Sequence, residues 1–169
     1  MQNTLAIAKE YGVTIGAHPG YDDRANFGRV SLPHSDAELA ALLQVQIAAL
    51  EGMAHSQGLA VSYVKPHGAL YNDMMANPAI LHSVLKALAQ QRGPKKLMLL
   101  ATAEADRHRE FAAAYGIELI FETFADRRYG DDGFLSPRQL TGAVLDHRAM
   151  LEQVQQLCED GAVTTLGGH

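Results

Sequence analysis

Two polar runs stand where apolar runs end. Val61 to Val64 leads into Lys65-Pro66-His67-Gly68-Ala69-Leu70-Tyr71-Asn72, and Val13-Thr14-Ile15-Gly16-Ala17 leads into His18-Pro19-Gly20-Tyr21. Read as strands, both end in a histidine beside a proline, which predicts one polar site at one edge of a sheet and points to an enzyme. Imidazole changes charge near neutrality, so His18 and His67 are candidates for proton transfer, or for one metal ion if a carboxylate joins them; the pattern assigns no metal. Lys65 brings a compact positive charge that can meet a carboxylate or a developing negative oxygen. The plainer alternatives are an ion pair at the sheet rim for Lys65 and a hydrogen-bonded structural role for each histidine.

A third group, Glu122, Asp126, Arg127 and Arg128, follows the apolar run Ile117 to Phe121. Glu122 or Asp126 suits a general base. Arg127, Arg29 and Arg138 can clamp a carboxylate or phosphate with paired hydrogen bonds. A local salt-bridge network explains the same mixed charge. Tyr21, Tyr71 and Asn72 can hydrogen-bond a substrate, although ring packing by the tyrosines and a helix-cap or turn role for Asn72 explain them equally.

Other chemistries lack their signatures. There is no G-x-x-x-x-G-K-[ST] and no G-x-G-x-x-G, and neither Cys158 nor any serine sits in a nucleophile elbow. His34, His55, His82, His108 and His147 fall in expected helices or loops and read as surface residues. With 169 residues, 47% hydrophobic and 20% charged, the chain can bury a real core. A net charge of −5 without a basic run disfavours nucleic acid or an anionic membrane as partner. No uninterrupted apolar segment nears the roughly 18–20 residues of a membrane span, and Met1-Gln2-Asn3-Thr4 does not begin a signal peptide. A single cysteine adds to the expectation of a cytoplasmic location.

The elements that must position these residues repeat. A helix-like stretch, a glycine and a β-rich run recur at Gly12, Gly58, Gly93, Gly116 and Gly161, the last before Ala162 to Leu166. Glycine just past a helix end accepts the left-handed backbone that closes the last turn. Ser35-Asp36-Ala37-Glu38 has capping-box spacing ahead of Leu39, Leu42, Leu43, Ile47 and Leu50. Asn77-Pro78 opens a helix carrying Ile80, Leu81, Val84, Leu85 and Leu88, and Met150, Leu151, Val154 and Leu157 are expected on the inner face of the last helix. Alternating strands and helices predict an α/β fold with a parallel sheet. Five strands could make a small open sheet, and they fall short of the eight units, about 250 residues, of a complete (β/α) barrel. Met1 to Tyr11 reads as a helix with no strand before it, and the chain ends at Gly167-Gly168-His169, in or just after a strand. The expectation is a single barrel domain over 1–169, incomplete at both ends.

Ile15-Gly16-Ala17-His18-Pro19-Gly20-Tyr21, Phe27-Gly28-Arg29, Val64 through Asn72, Phe124-Ala125-Asp126-Arg127-Arg128-Tyr129 and Leu135-Ser136-Pro137-Arg138 together resemble the LamB/YcsF family, in order and over essentially all 169 positions. The resemblance implies an irregular seven-stranded (β/α) barrel related to glycoside hydrolase and deacetylase folds, here lacking the N- and C-terminal strands. It also implies a reaction in which 5-oxoproline, ATP and water give glutamate, ADP and phosphate, with 5-oxoprolinase subunits B and C as partners. ATP with Mg is expected to serve that complex and not to be bound by this chain alone. The family's Asp-Leu-Asn-type opening strand, its Cys-Gly-Phe-His-Ala-Gly-Asp motif and its closing Cys-His-Gly-Asp-type strand have no counterpart here. The alternatives are a metal-dependent carbohydrate amidase or deacetylase, suggested by fold analogy, and a non-catalytic scaffold component.

Overall fold

In the computed structural model, which describes residues 1–168, helices and strands alternate along the chain. They run α1 (Gln2–Glu10), β1 (Ile15–Ala17), α2 (Asp36–His55), β2 (Val61–Val64), α3 (Gly68–Ala76), α4 (Pro78–Gln90), β3 (Lys96–Leu100), α5 (Ala105–Ala113), β4 (Glu118–Glu122) and α6 (His147–Asp160). The four strands form one sheet in the order β1-β2-β3-β4, and the β1–β2 and β2–β3 pairs are parallel. This is the α/β class that the repeating pattern predicts. His169, the end of the last expected strand region, lies outside the described residues. The chain divides into two compact units, Met1–Leu99 with Asp106–Phe121, and Leu100–Ala105 with the residues from Glu122 onward.

In the first unit the helix signals work as local chemistry dictates. Ser35 Oγ accepts the Glu38 N–H while Glu38 Oε2 accepts the Ser35 N–H at 2.8 Å, so two N-terminal donors of α2 are satisfied reciprocally. Asn77 Oδ1 accepts the Ala79 N–H at 3.0 Å ahead of a proline-led α4. Leu39, Leu43 and Ile47 of α2 and Leu81, Val84, Leu85 and Leu88 of α4 are buried, and the two helices pack together. Ser83 ties them with a hydroxyl donated to Asp36 at 2.6 Å. At 20 residues α2 is long and apolar enough to cross a membrane, yet its buried face is committed to α4 and β2.

Of the five punctuating glycines, Gly12, Gly58, Gly116 and Gly161 take positive φ, and Gly93 does not. The end of α4 is closed by Lys95 instead. Its Nζ donates to the carbonyls of Leu88 at 2.6 Å, Ala89 at 2.9 Å and Gln91, so one ammonium satisfies three acceptors that the helix leaves over. Further expectations need correcting. Asn72 is neither a cap nor a turn residue but lies inside α3, exposed. His34, His82 and His108 are half-buried rather than at the surface, His82 meeting the Tyr115 hydroxyl at 2.8 Å.

In the second unit, the expected strand at 162–166 is reduced to a single parallel bridge between Thr165 and Tyr129, where Leu166 N donates to Tyr129 O at 2.7 Å. The inner face of α6 is the expected one only in part, with Met150 and Leu157 half-buried. Leu151 and Val154 are exposed, and the buried position belongs to Gln153. Its amide donates to the carbonyls of Phe124 at 2.7 Å, Ala125 at 3.2 Å and Arg127 at 2.8 Å. An irregular loop leaves carbonyls that need donors, and a glutamine on the inner face meets that need where a leucine cannot.

Lys95 and its neighbour Lys96 provide a test. Lys96 makes an exposed ion pair with Glu118 at 3.0 Å, a kind of contact worth under about 1 kcal/mol. Lys95→Met removes charged hydrogen bonds from otherwise unsatisfied carbonyls and is expected to cost about 1–3 kcal/mol in urea unfolding, whereas Lys96→Met costs less than half of that. Equal losses would assign Lys95 to surface electrostatics.

Candidate active site

The parallel pairing of β1 and β2 does not stop where the strands do. Ala17 sits opposite Val64, and beyond them Lys65 N donates to Ala17 O at 2.9 Å and His67 N donates to Pro19 O at 2.8 Å. This continued ladder sets the chain positions of His18 and His67 side by side. Their rings meet edge to face with centroids 4.8 Å apart, and His18 Nε2 lies 3.0 Å from His67 Nδ1. The outer nitrogens are held by main-chain carbonyls. His18 Nδ1 lies 2.6 Å from Lys65 O, and His67 Nε2 lies 2.8 Å from Phe27 O.

Phe27 reaches that position through a left-handed backbone, φ 56°, which is costly for a residue with a side chain. Two further contacts hold it there. Gly28 N donates to Asp23 O at 2.7 Å, and Ala69 N, in the first turn of α3, donates to Gly28 O at 2.9 Å. At Gly68, φ 58°, a β-carbon would run into the Gly28 carbonyl, so only glycine lets the two backbones approach. His67 is the residue that caps α3, yet its side chain makes no cap bond; it is turned to His18 and Phe27 instead.

The loop between β1 and α2 forms the wall of an open cleft of about 1000 Å³, lined by both histidines, by Tyr21, Phe27 and His34, and by Leu42, Val45 and Gln46 of α2. The Tyr21 hydroxyl donates to Asp73 Oδ2 at 2.9 Å, Ser31 donates to Asp73 Oδ1 at 2.8 Å, and the Tyr21 ring stacks on His34 at 5.1 Å. Burial, and then the Asp73 carboxylate, hold the Tyr21 hydroxyl above the ordinary phenol range. Gln46 Nε2 donates to Gly20 O at 2.8 Å, and Gln46 Oε1 accepts from Gly20 N at 3.1 Å, fastening the His18-Pro19-Gly20 segment to α2.

The structure therefore brings His18, His67 and the Lys65 main chain together, with Tyr21 on the wall of the same cleft. Arg29 is exposed and sets its guanidinium 5.5 Å above the Phe27 ring. Tyr71 is buried and Asn72 exposed, both within α3. Glu122, Asp126, Arg127 and Arg138 belong to the second unit. There Glu122 and Asp126 are half-buried, their main-chain oxygens accepting from Ala101 and Leu145. Arg127 is buried and donates Nη2 to Ser136 O at 2.6 Å. Burial, followed by the charge of Arg138, lowers the pKa of its guanidinium, which nonetheless stays charged. Arg138 is exposed, and Arg128 donates to Thr164 O at 3.2 Å. Among the described residues no group of three His, Cys, Asp or Glu is arranged to hold a metal ion.

Asp73, Gln46 and the Phe27 carbonyl are parts of the site that residue types and spacing do not reveal. Gln46 carried a signal, a polar residue one position from Ile47 on the buried stripe of α2; Asp73 and a main-chain carbonyl carried none. Because the fold favours the neutral Tyr21 phenol, its stabilisation is complete below the unfolded phenol value of about 10 and is lost as pH rises through the higher folded value. The stability difference between the protein and a Tyr21→Phe variant is thus expected to be constant to about pH 9 and to narrow with each unit above about 10. A difference that stays flat to about pH 11 in chemical unfolding would remove Asp73 as the hydroxyl's acceptor.

Known proteins resemble this chain in sequence and in fold. The family model described as the LamB/YcsF family matches residues 1–169. The chain is 46% identical over 169 residues to a protein of Vibrio parahaemolyticus named as the A subunit of 5-oxoprolinase, covering 99% of this chain and 66% of that one. It is 49% identical over 144 residues to a protein of the same name from Pseudomonas fluorescens, covering 85% of this chain and 58% of that one. The solved lactam utilization protein from Thermus thermophilus superposes with a TM-score of 0.84 at 30% identity, over 98% of this chain and 66% of its own. The chain thus spans about two thirds of the length of the relatives it matches. Matched along its whole length by the family model and at up to 49% identity by these relatives, the chain belongs to the LamB/YcsF family.

Proposed function

We propose that this chain acts as the A component of a 5-oxoprolinase that opens the cyclic amide of 5-oxoproline to give glutamate, working with subunits B and C and with ATP, in the cytoplasm where ATP is supplied. The observation that carries the reading is the pair of histidines at the ends of adjacent parallel strands, side by side on the wall of an open cleft. The names of the relatives, which speak of 5-oxoprolinase and of lactam utilization, support it. The strands follow one another across the sheet in chain order, which is compatible with part of the irregular seven-stranded barrel that the resemblance implies.

Opening a lactam needs a proton delivered to the departing ring nitrogen, a charge opposite the developing oxyanion, and a base for water. In this reading His18 and His67 handle the first and Lys65 the second. Glu122 or Asp126 is the proposed base. Arg29 and Arg138, both exposed, suit the substrate carboxylate better than Arg127, whose guanidinium is buried and engaged. Tyr21 shapes the wall, and Tyr71 and Asn72 are further proposed substrate contacts. The lining of the cleft supports the reading that ATP is not bound by this chain alone. Asp22, Asp23 and Glu38 line it with Arg24, and the Gly20 and Gly28 N–H groups that could cradle phosphate are already donated to Gln46 and Asp23. Activation of the amide by ATP with Mg is therefore assigned to the partner subunits.

The test is glutamate release from 5-oxoproline by the protein mixed with subunits B and C, with and without ATP. ATP-dependent release that requires this chain is the expected result. No release from an assembled complex would overturn the reading in favour of a metal-dependent amidase. Within an active complex, Lys65→Met and His67→Asn are each expected to lower kcat/KM by about 10²-fold or more while assembly persists. Full turnover in both variants would make the chain a scaffold for a partner's site.

A further inference from the structure

We infer that His18 and His67 share a single proton and act as one acid rather than as two independent ones. A count of hydrogens leads there. A carbonyl oxygen can only accept, so the 2.6 Å contact of His18 Nδ1 with Lys65 O and the 2.8 Å contact of His67 Nε2 with Phe27 O each require an N–H on the ring. Those two hydrogens are all that two neutral imidazoles possess. The remaining contact, His18 Nε2 to His67 Nδ1 at 3.0 Å, is then two lone pairs facing each other unless a third proton lies between them. Three ring protons on two imidazoles give the pair one positive charge, held between the rings.

Neither ring can relieve the conflict by changing tautomer, because each outer nitrogen faces an oxygen fixed in the main chain. Lys65 O belongs to the residue whose N–H continues the β1–β2 ladder. Phe27 O is aimed by the left-handed Phe27 backbone and by the Gly28–Ala69 hydrogen bond behind it. Phe27 is thus a positioning residue, acting on the pair through its carbonyl and closing over it with an edge-to-face ring 5.2 Å from that of His67. The charged groups around the pair are of both signs. Asp22, Asp23 and Glu38 line the same cleft, and so do Arg24 and His34. Arg29 stands over Phe27, and Lys65 joins the pair through its carbonyl.

For its chemical role the inference rests on the lactam-opening reading. As the amide C–N bond breaks, its electron pair goes to nitrogen. The shared N–H bond breaks, a new N–H forms on the departing nitrogen, and the pair is left neutral. The proton shed by the attacking water restores it, so the cycle is balanced. The facing lone pairs of the neutral pair favour that recovery.

The decisive measurement is made on the intact protein labelled with ¹⁵N-histidine, at about neutral pH, where an ordinary imidazole is mostly uncharged. Expected are protonated His18 Nδ1 and His67 Nε2, together with a through-hydrogen-bond ¹⁵N–¹⁵N coupling between His18 Nε2 and His67 Nδ1. Two neutral rings without that coupling would overturn the inference. In the active complex, a His18→Asn/His67→Asn double variant is expected to lose no more than about threefold beyond the worse single variant, because one shared proton can be lost only once. Losses that multiply would likewise overturn it. A coupling observed in a protein whose assembled complex never releases glutamate would sustain the shared proton and remove the lactam reading.

Discussion

The site depends on two main-chain hydrogen bonds made after the strands have formally ended, Lys65 N to Ala17 O and His67 N to Pro19 O. Parallel pairing fixes register residue by residue, so extending it by a few positions places the residue after Ala17 and the residue three beyond Val64 at neighbouring points in space. Both prolines fit this region because extended, end-of-strand backbone tolerates the missing donor. A slip of one residue would turn one of the two rings to the other face of the sheet. Everything else around the site refines this alignment.

The loop from Gly20 to Pro33 shows how a segment with little regular structure is held. It is tied at four points to elements with their own reasons to be fixed: Gly20 to α2 through Gln46, Tyr21 and Ser31 to α3 through Asp73, and Gly28 to the first turn of α3. Each tie gives a polar group of the loop a fixed partner on a neighbouring element. The conformational cost of the positive φ at Phe27 falls where the carbonyl is needed for His67. Strain beside a cleft and stability elsewhere are the division expected where geometry serves chemistry.

The same accounting of polar groups explains the departures from simple pattern. Lys95 closes α4 where Gly93 was expected to, and Gln153 holds the buried position of α6 where Leu151 and Val154 were expected. In each case stranded carbonyls outweigh the small gain from another buried methyl group, because an unsatisfied buried acceptor costs about 1–3 kcal/mol against about 0.8 kcal/mol for a methylene.

Much was legible in the sequence. The α/β class follows from the alternation of helical and β-rich runs, the starts of α2 and α4 from Ser35-Asp36-Ala37-Glu38 and Asn77-Pro78, and the convergence of His18 and His67 from two histidine–proline strand ends. These are local signals, written within a few residues of where they act. The closure of α4 was not legible, because a long lysine side chain reaching back over its own helix end has no fixed spacing. Nor were the burial of Gln153 in α6 and the reduction of the last strand to one bridge, since both answer to distant or irregular segments. Asp73 and the Phe27 carbonyl stayed hidden for the same reason: a carboxylate in an apolar helix and a main-chain oxygen look alike in every sequence. By itself the sequence determined which residue types stand at the ends of which strands. Only the tertiary structure decided which nitrogen of each ring meets which oxygen, because that is a matter of ångströms between segments 40 to 49 residues apart along the chain.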